Sequence, residues 1–138
     1  MARAITLARA AAEAGEVPVG AVLVRDGAII AEGANATRAA ADPTAHAEML
    51  AIRAAGAERL PGCDLYVTLE PCAMCAGAIA NARIARLYYA APDPKGGAVD
   101  HGPRLFSWPT IHHRPEVYGG IAEAEAAALL RAFFAGRR

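Results

Sequence analysis

Two short segments of the chain carry residue types that bind metals and move protons. The first is the His-Ala-Glu segment 46–48, and the second is the Cys-Ala-Met-Cys segment 72–75. Zinc prefers thiolate and imidazole ligands in a tetrahedral arrangement, so one His and two Cys supply three positions and leave the fourth for water. An open fourth position indicates a catalytic metal site. We therefore predict one zinc ion per chain, bound by His46, Cys72 and Cys75.

Glu48 has the chemistry of a proton carrier beside such a metal. Zinc lowers the pKa of a coordinated water from near 16 toward about 7, and a nearby carboxylate takes up the proton and passes it to a leaving group. In the middle of a helix, residues two apart point about 200° away from each other. His46 and Glu48 reach one pocket only from the end of a helix, so we expect a helix to begin there.

The cysteines also fit two kinds of site that are not catalytic zinc centres. A redox-active Cys-x-x-Cys pair would leave His46 and Glu48 without a role. A structural zinc site would require a fourth protein ligand, for which Cys63 is available, although it lies about a strand length before Cys72. The order His-x-Glu followed by Pro-Cys-x-x-Cys is typical of zinc-dependent nucleobase deaminases, and this pattern uses all four residues of the two segments.

The elements that must position these residues follow from hydrophobic periodicity and from Gly and Pro breaks. Helices are predicted over 2–14, 45–56, 72–84 and 121–134, with Glu70-Pro71 at the start of the third, and strands over 17–24, 28–32, 64–69, 87–90 and 116–118. Helices that alternate with strands after a first hairpin predict an α/β fold with a partly parallel sheet between helix layers. Both metal segments then fall at helix N-termini, where backbone N–H groups favour thiolates.

Length and composition limit the possible classes of protein. The 138 residues are expected to form one domain, residues 1–138. Fourteen basic and 14 acidic side chains give no net charge, which excludes a long charged tail and weakens a case for nucleic-acid binding from charge alone. The chain contains 37 Ala, and it lacks the roughly 18 to 20 consecutive apolar residues that span a bilayer. We expect a cytoplasmic protein that does not enter a membrane.

The sequence resembles the bacterial tRNA-specific adenosine deaminases over almost its whole length. The stretches that carry the resemblance are 16–22, 42–48, 65–79 and 93–98. The resemblance implies a three-layer α/β/α fold of the cytidine-deaminase type, with a five-stranded mixed sheet and helices on both faces. It also implies a zinc-dependent hydrolysis that converts the wobble adenosine of a tRNA anticodon to inosine and releases ammonia, in a homodimer whose partner chain borders the active site.

Two different functions compete with that implication. Deaminases of free bases or nucleosides, of the guanine or cytosine type, share both metal segments, whereas the 72–79 run and the 93–98 loop favour the tRNA branch. A catalytically silent zinc-binding module of an editing complex is the second competitor. The intact Glu48 argues against it, because inactive relatives commonly lose that residue.

The resemblance also assigns roles residue by residue. His46, Cys72 and Cys75 would bind zinc, and Glu48 would shuttle the proton. The residues implied in substrate binding are Asn35 at the purine, Asp93 and Lys95 at the anticodon nucleotides, and Phe133, Phe134, Arg137 and Arg138 beside the flipped base. Simpler roles exist for several of these: a turn residue at Asn35, core packing for the two Phe, and a solvated chain end for the two Arg.

The chain departs from the usual pattern of that family in two places. Residues 100–104, Asp-His-Gly-Pro-Arg, stand where many relatives carry a Gly-Ser segment, and a pair of histidines at 112 and 113 replaces one. The spacing of these histidines fits no metal-ligand pattern. We expect His101, His112 and His113 to be surface or loop-packing residues.

Overall fold

The computed structural model describes residues 1–137 and contains one five-stranded sheet with helices on both faces. The helices are α1 (Ala2–Glu13), α2 (Ala47–Ala55), α3 (Ala73–Asn81) and α4 (Glu123–Ala135), and the strands are β1 (Gly20–Arg25), β2 (Ala28–Ala34), β3 (Asp64–Leu69), β4 (Arg86–Ala91) and β5 (Glu116–Gly119). The strand order is β2-β1-β3-β4-β5. No helix in this described part is long and apolar enough to cross a membrane.

The sheet is mixed, as the sequence predicted. β1 pairs antiparallel with β2 and with β3, whereas β3, β4 and β5 run parallel. The first hairpin turns at Asp26 and Gly27, whose φ angles are 51° and 76°. Two consecutive residues with positive φ are the backbone of a type I′ turn, which matches the twist of the flanking strands. The predicted hairpin is therefore confirmed, with its turn in the expected place.

Small residues bring the helices very close to the sheet. α1 and α4 cover one face, and α2 and α3 cover the other. A Cβ atom on Gly20 of β1 would lie 2.1 Å from the carbonyl oxygen of Ala4 in α1. On the opposite face, a Cβ atom on Gly33 of β2 would lie 2.5 Å from the carbonyl oxygen of Ala47. At these two positions the backbone of a helix therefore packs directly against the backbone of a strand.

The predicted bounds of two helices differ from the observed ones. α2 begins at Ala47 rather than at residue 45, and α3 differs at both ends. Glu70 still continues the pairing of β3 with β4, since its N–H donates to the carbonyl of Ala91 at 2.8 Å. Cys72 is the extended N-cap residue of α3, with φ −75° and ψ 177°. The prediction that Glu70-Pro71 begins this helix is therefore wrong. The helix also ends at Asn81 rather than at residue 84, and Arg83 there has a φ of 61°, which a right-handed helix excludes.

Candidate metal centre and active site

The two metal segments meet because the N-termini of α2 and α3 are neighbours. His46 is the N-cap of α2, Cys72 is the N-cap of α3, and Cys75 is the third residue of α3. The Nδ1 atom of His46 lies 3.6 Å from the Sγ atom of Cys72 and 3.6 Å from that of Cys75. The three potential ligand atoms all lie within 4.8 Å of one another. Both helix starts therefore face one point, as the sequence predicted.

These distances fit a tetrahedral zinc ion. With Zn–S bonds of about 2.3 Å and Zn–N bonds of about 2.0 Å, tetrahedral geometry separates a sulfur from a nitrogen ligand by about 3.6 Å. The His46–Cys72 and His46–Cys75 separations agree with that value. Cys63 is buried in the core and does not belong to the cluster found among residues 1–137. Three protein ligands leave one position for water or substrate.

The start of α3 favours a thiolate. The pKa of Cys72 is lowered to about 5, first by the hydrogen bond from the thiol of Cys75 and further by the backbone N–H groups of Cys75 and Met74 and by His46, while burial opposes the shift. Unpaired N–H groups at a helix N-terminus attract negative charge. The same hydrogen bond raises the pKa of Cys75, because one proton is then shared between two sulfurs.

Glu48 lies in the first turn of α2 and is only 4% exposed. Burial raises the pKa of its carboxyl group, while a backbone N–H and the thiol of Cys75 lower it in part. A carboxyl group that is harder to ionise than usual holds a proton more readily and can return it. Its position at the helix start brings it beside the cysteines, as the two-residue spacing from His46 required.

A cavity of about 280 Å³ opens directly above the metal cluster. It is lined by Val17, Val19, Asn35, Thr37, His46, Ala47, Glu48, Leu69, Glu70, Cys72, Asp93 and Gly96. Asn35 follows β2, is 8% exposed, and donates its backbone N–H to Val19. Asn35 and Glu48 thus line the same cavity. Small-ligand sites typically combine apolar side chains with polar groups that orient the ligand, as this lining does.

The residues predicted to contact RNA are only partly gathered around this cavity. Asp93 is in its wall, whereas Lys95 is exposed two residues further along. Phe134 is 51% exposed and lines a separate apolar groove on α4. Phe133 is 8% exposed and packs inward, with the guanidinium carbon of Arg137 3.6 Å from its ring centre. Arg138 lies outside the described residues, and these substrate assignments stay predictions.

Two buried carboxylates beside the cavity were not expected from the sequence. Glu16 is 3% exposed and accepts the backbone N–H groups of Arg38 at 3.1 Å and Ala39 at 2.8 Å. Glu70 is 2% exposed and accepts several N–H groups of the segment after β4. The available signal was a Glu directly beside a predicted buried strand, since a charged residue is rarely buried without partners.

The backbone N–H of Glu70 does not face the pocket. The N–H of Glu70 donates to the carbonyl oxygen of Ala91, so it is not available to a substrate. It is the carboxylate of Glu70, not its backbone N–H, that binds the segment after β4 beside the cavity.

The fold and the metal cluster define a class of protein, and the comparison with known families agrees. Residues 1–91 match the cytidine and deoxycytidylate deaminase zinc-binding region, and the chain belongs to this family of zinc-dependent deaminases. Zinc is accordingly its cofactor, with one ion per chain at the three-residue cluster as the consistent arrangement.

Within the family, the most similar proteins include tRNA deaminases. The chain is 61% identical over its full length to the tRNA-specific adenosine deaminase of Agrobacterium fabrum, of which it covers 93%. A solved structure from studies of A-to-I editing by tRNA:A34 deaminases has a TM-score of 0.90 and 62% identity, with 92% of this chain and 95% of that one covered. The structure of the guanine deaminase of Nitrosomonas europaea has a TM-score of 0.78 and 27% identity, with 97% of this chain and 82% of that one covered.

Proposed function

We propose that this protein hydrolytically deaminates the wobble adenosine of a tRNA anticodon to inosine and releases ammonia. The observation that carries the proposal is that Glu48 lines the same cavity as His46 and Cys72, two members of the three-residue metal-binding group that Cys75 completes. The 61% identity to a tRNA-specific adenosine deaminase over the whole chain supports the choice of substrate.

The residues of the chain divide the work of replacing an amino group by oxygen. Zinc, when bound, supplies the Lewis acidity that makes water a nucleophile at neutral pH. Glu48 takes one proton from the attacking water and delivers it to the ring nitrogen next to C6. It then takes the second proton, from the new hydroxyl group at C6, and delivers it to the departing amine, so that the C6–N bond breaks and water and adenosine give inosine and ammonia. Asn35 binds the purine from the cavity wall, which fixes C6 near the carboxyl group of Glu48.

A chain without net charge grips a small RNA loop locally. Bases in single-stranded loops are splayed out at low cost, and recognition then depends on contacts to individual nucleotides. In this proposal Asp93 and Lys95 contact the nucleotides beside the adenosine. Phe134, Arg137 and Arg138 contact the loop from the end of the chain.

We also propose that the protein works as a homodimer in the cytoplasm. The family resemblance supports a partner chain at the border of the active site, and a tRNA substrate supports the location. Light scattering with attached refractometry is expected to give twice the mass of 14.2 kDa. A monomer with full activity would contradict the dimer and leave the deamination proposal intact.

The deaminases of free bases provide the second candidate function. The likeness to the guanine deaminase of Nitrosomonas europaea extends over most of the chain, and the metal cluster serves either substrate. The decisive experiment compares an anticodon stem-loop carrying adenosine at the wobble position with free adenine, guanine and cytosine. Mass spectrometry is expected to detect inosine in the stem-loop with little turnover of the bases. Turnover confined to a free base would reject the tRNA proposal.

A further inference from the structure

Glu70 follows β3 directly, and its side chain joins this end of the strand to a loop of the cavity wall. We call residues 93–101 the wall loop; it includes Asp93 and Gly96, which line the cavity. The Glu70 side chain is fully buried. It lies two residues before the predicted ligand Cys72, so whatever it holds is fixed relative to the metal cluster.

The carboxylate of Glu70 accepts hydrogen bonds from both ends of the wall loop. Its Oε2 atom accepts the backbone N–H groups of Val99, Asp100 and His101 at 3.1, 3.0 and 3.1 Å. Its Oε1 atom accepts the N–H of Asp93 at 3.1 Å. Three successive N–H groups on one oxygen form an anion-binding nest. One buried carboxylate thus joins the two ends of the wall loop. We call this carboxylate and the groups that hydrogen-bond to it the Glu70 clasp.

The wall loop wraps directly over this carboxylate. A Cβ atom on Gly97 would lie 2.5 Å from Glu70, so only glycine permits the approach. Asp93 in turn accepts the N–H groups of Lys95 at 3.2 Å and Gly96 at 2.9 Å. Two carboxylates therefore hold the shape of the loop: Glu70 binds its two ends, and Asp93 binds the N–H groups within it. This shape determines where Asp93 lies in the cavity wall.

His101 completes the clasp with its side chain. Its Nδ1 atom lies 2.7 Å from Oε1 of Glu70, and the imidazole covers the otherwise buried carboxylate with 37% of its own side chain exposed. His101 belongs to the segment in which this chain departs from the family pattern. This contact is therefore a feature of the present sequence.

We propose that Glu70 and His101 are positioning residues that hold the wall loop in its substrate-binding shape and thereby set the affinity for RNA, not the rate of the chemical step. The inference rests on the proposed tRNA function. Loss of the imidazole removes one hydrogen bond from a buried carboxylate and lets the loop open more often, an effect of about tenfold. The cost falls on KM because the loop binds nucleotides and does not touch the proton transfer.

Kinetics on the anticodon stem-loop test this separation. His101→Ala is expected to raise KM about tenfold with kcat changed less than about twofold. His101→Gln keeps an N–H donor for Glu70 and is expected to restore most of the affinity. His112→Ala is the matched control, because His112 is exposed and of the same residue type. We use His101 rather than Glu70 for these variants because loss of the buried carboxylate leaves the N–H nest unpaired and can prevent folding.

The single lysine of the chain gives a readout without RNA. Lys95 lies inside the wall loop and is the only Lys in the sequence, so a lysine-specific protease cuts the chain at that bond alone. His101→Ala is expected to be cleaved about ten times faster than wild type. His101→Gln and His112→Ala are expected to be cleaved at the wild-type rate. Melting temperature and zinc content, measured on the same samples, exclude global unfolding as the cause.

The outcomes separate this inference from the proposed function. Wild-type protein that makes no inosine in the stem-loop rejects the function, whereas faster cleavage at Lys95 in His101→Ala still shows that the clasp holds the loop. With active wild type, the inference is overturned if His101→Ala behaves like His112→Ala in KM or in cleavage. A loss confined to kcat also overturns it.

Discussion

At the scale of single residues, the site places three potential metal ligands beside a buried carboxyl group. The Nδ1 atom of His46 lies 3.6 Å from each of the Cys72 and Cys75 sulfur atoms, the separation expected for tetrahedral zinc. Glu48 lies buried beside them, and burial raises its pKa. Residue types and spacing were sufficient to predict this group, since metal ligation and proton transfer depend on side-chain chemistry. The carboxylates of Glu16 and Glu70 escaped prediction because their partners are backbone N–H groups from distant segments.

Replacement of Glu48 tests proton transfer without removing the metal ligands. Glu48→Gln keeps the size of the side chain but cannot accept and return a proton, so kcat is expected to fall by at least about 100-fold. Zinc content, measured by elemental mass spectrometry, is expected to stay at one ion per chain. Glu13→Gln, at an exposed position of α1, is the control and should keep full activity. Undiminished deamination by Glu48→Gln would assign the proton to another group.

Cysteine replacements decide between a catalytic and a structural zinc site. Cys75→Ala removes one of three predicted ligands and is expected to abolish stoichiometric zinc binding, because two ligands hold zinc poorly. Cys63→Ala is the matched control, since Cys63 is equally buried but lies outside the cluster. It should retain one zinc per chain. Loss of zinc from Cys63→Ala would revive the structural site with four protein ligands.

Tyr89 gives a pH dependence that is separate from the metal cluster. Burial raises the pKa of Tyr89, and its hydrogen bond to Asp100 raises it further. The unfolded phenol ionises near pH 10, whereas the folded one keeps its proton. Its contribution to stability is therefore complete below about pH 10 and is lost as the pH rises. Between pH 9 and 11 the urea midpoint of wild type should fall more than that of Tyr89→Phe, and an equal fall would refute this.

At the scale of elements, the local signals predicted where chain segments form strands and helices better than where they begin. β3 has the predicted bounds, and the Asp26-Gly27 turn is in its predicted place. The start of α3 was placed too early because Pro71 is common at the first position of a helix, yet here it precedes the N-cap. The wall loop was unpredictable in shape, since its hydrogen bonds to Glu70 span 23 to 31 residues.

The contact between α1 and β1 is a sensitive point of the helix packing. A Cβ atom on Gly20 would meet the backbone of Ala4 at 2.1 Å and that of Ala8 at 2.9 Å, and backbone atoms cannot turn aside as a side chain does. Gly20→Ala is expected to lower the free energy of unfolding by about 1 to 3 kcal/mol, measured by urea denaturation. Gly136→Ala is the control, because its nearest neighbour would lie at 3.7 Å. Equal stability of the two variants would contradict this packing argument.

At the scale of the whole molecule, α2 and α3 are held together by few large side chains. The two helices have few residues in contact with each other. Their buried residues are Ala47, Glu48 and Ala51 in α2 and Cys75, Ala76, Ile79 and Ala80 in α3, so Ile79 is the largest apolar side chain among them. The three potential metal ligands lie at the starts of these two helices, so a bound ion joins α2 to α3. A core rich in Ala buries less apolar area per residue, and we therefore expect the metal to add to the stability of the fold.

Removal of zinc should therefore cost global stability as well as activity. A metal that binds only the folded state stabilises it by about 4 kcal/mol when its concentration exceeds Kd about 1,000-fold, and in a domain of this size that corresponds to a fall in Tm of roughly 10 to 20 °C. Calorimetry with and without a strong chelator measures the fall, and added zinc should reverse it. Cys75→Ala should melt at the low temperature in either condition. A chelator effect of the same size on Cys75→Ala would mean that the stabilising metal lies elsewhere. No effect on the wild type would mean that the packing of α2 on α3 stabilises the fold without the metal.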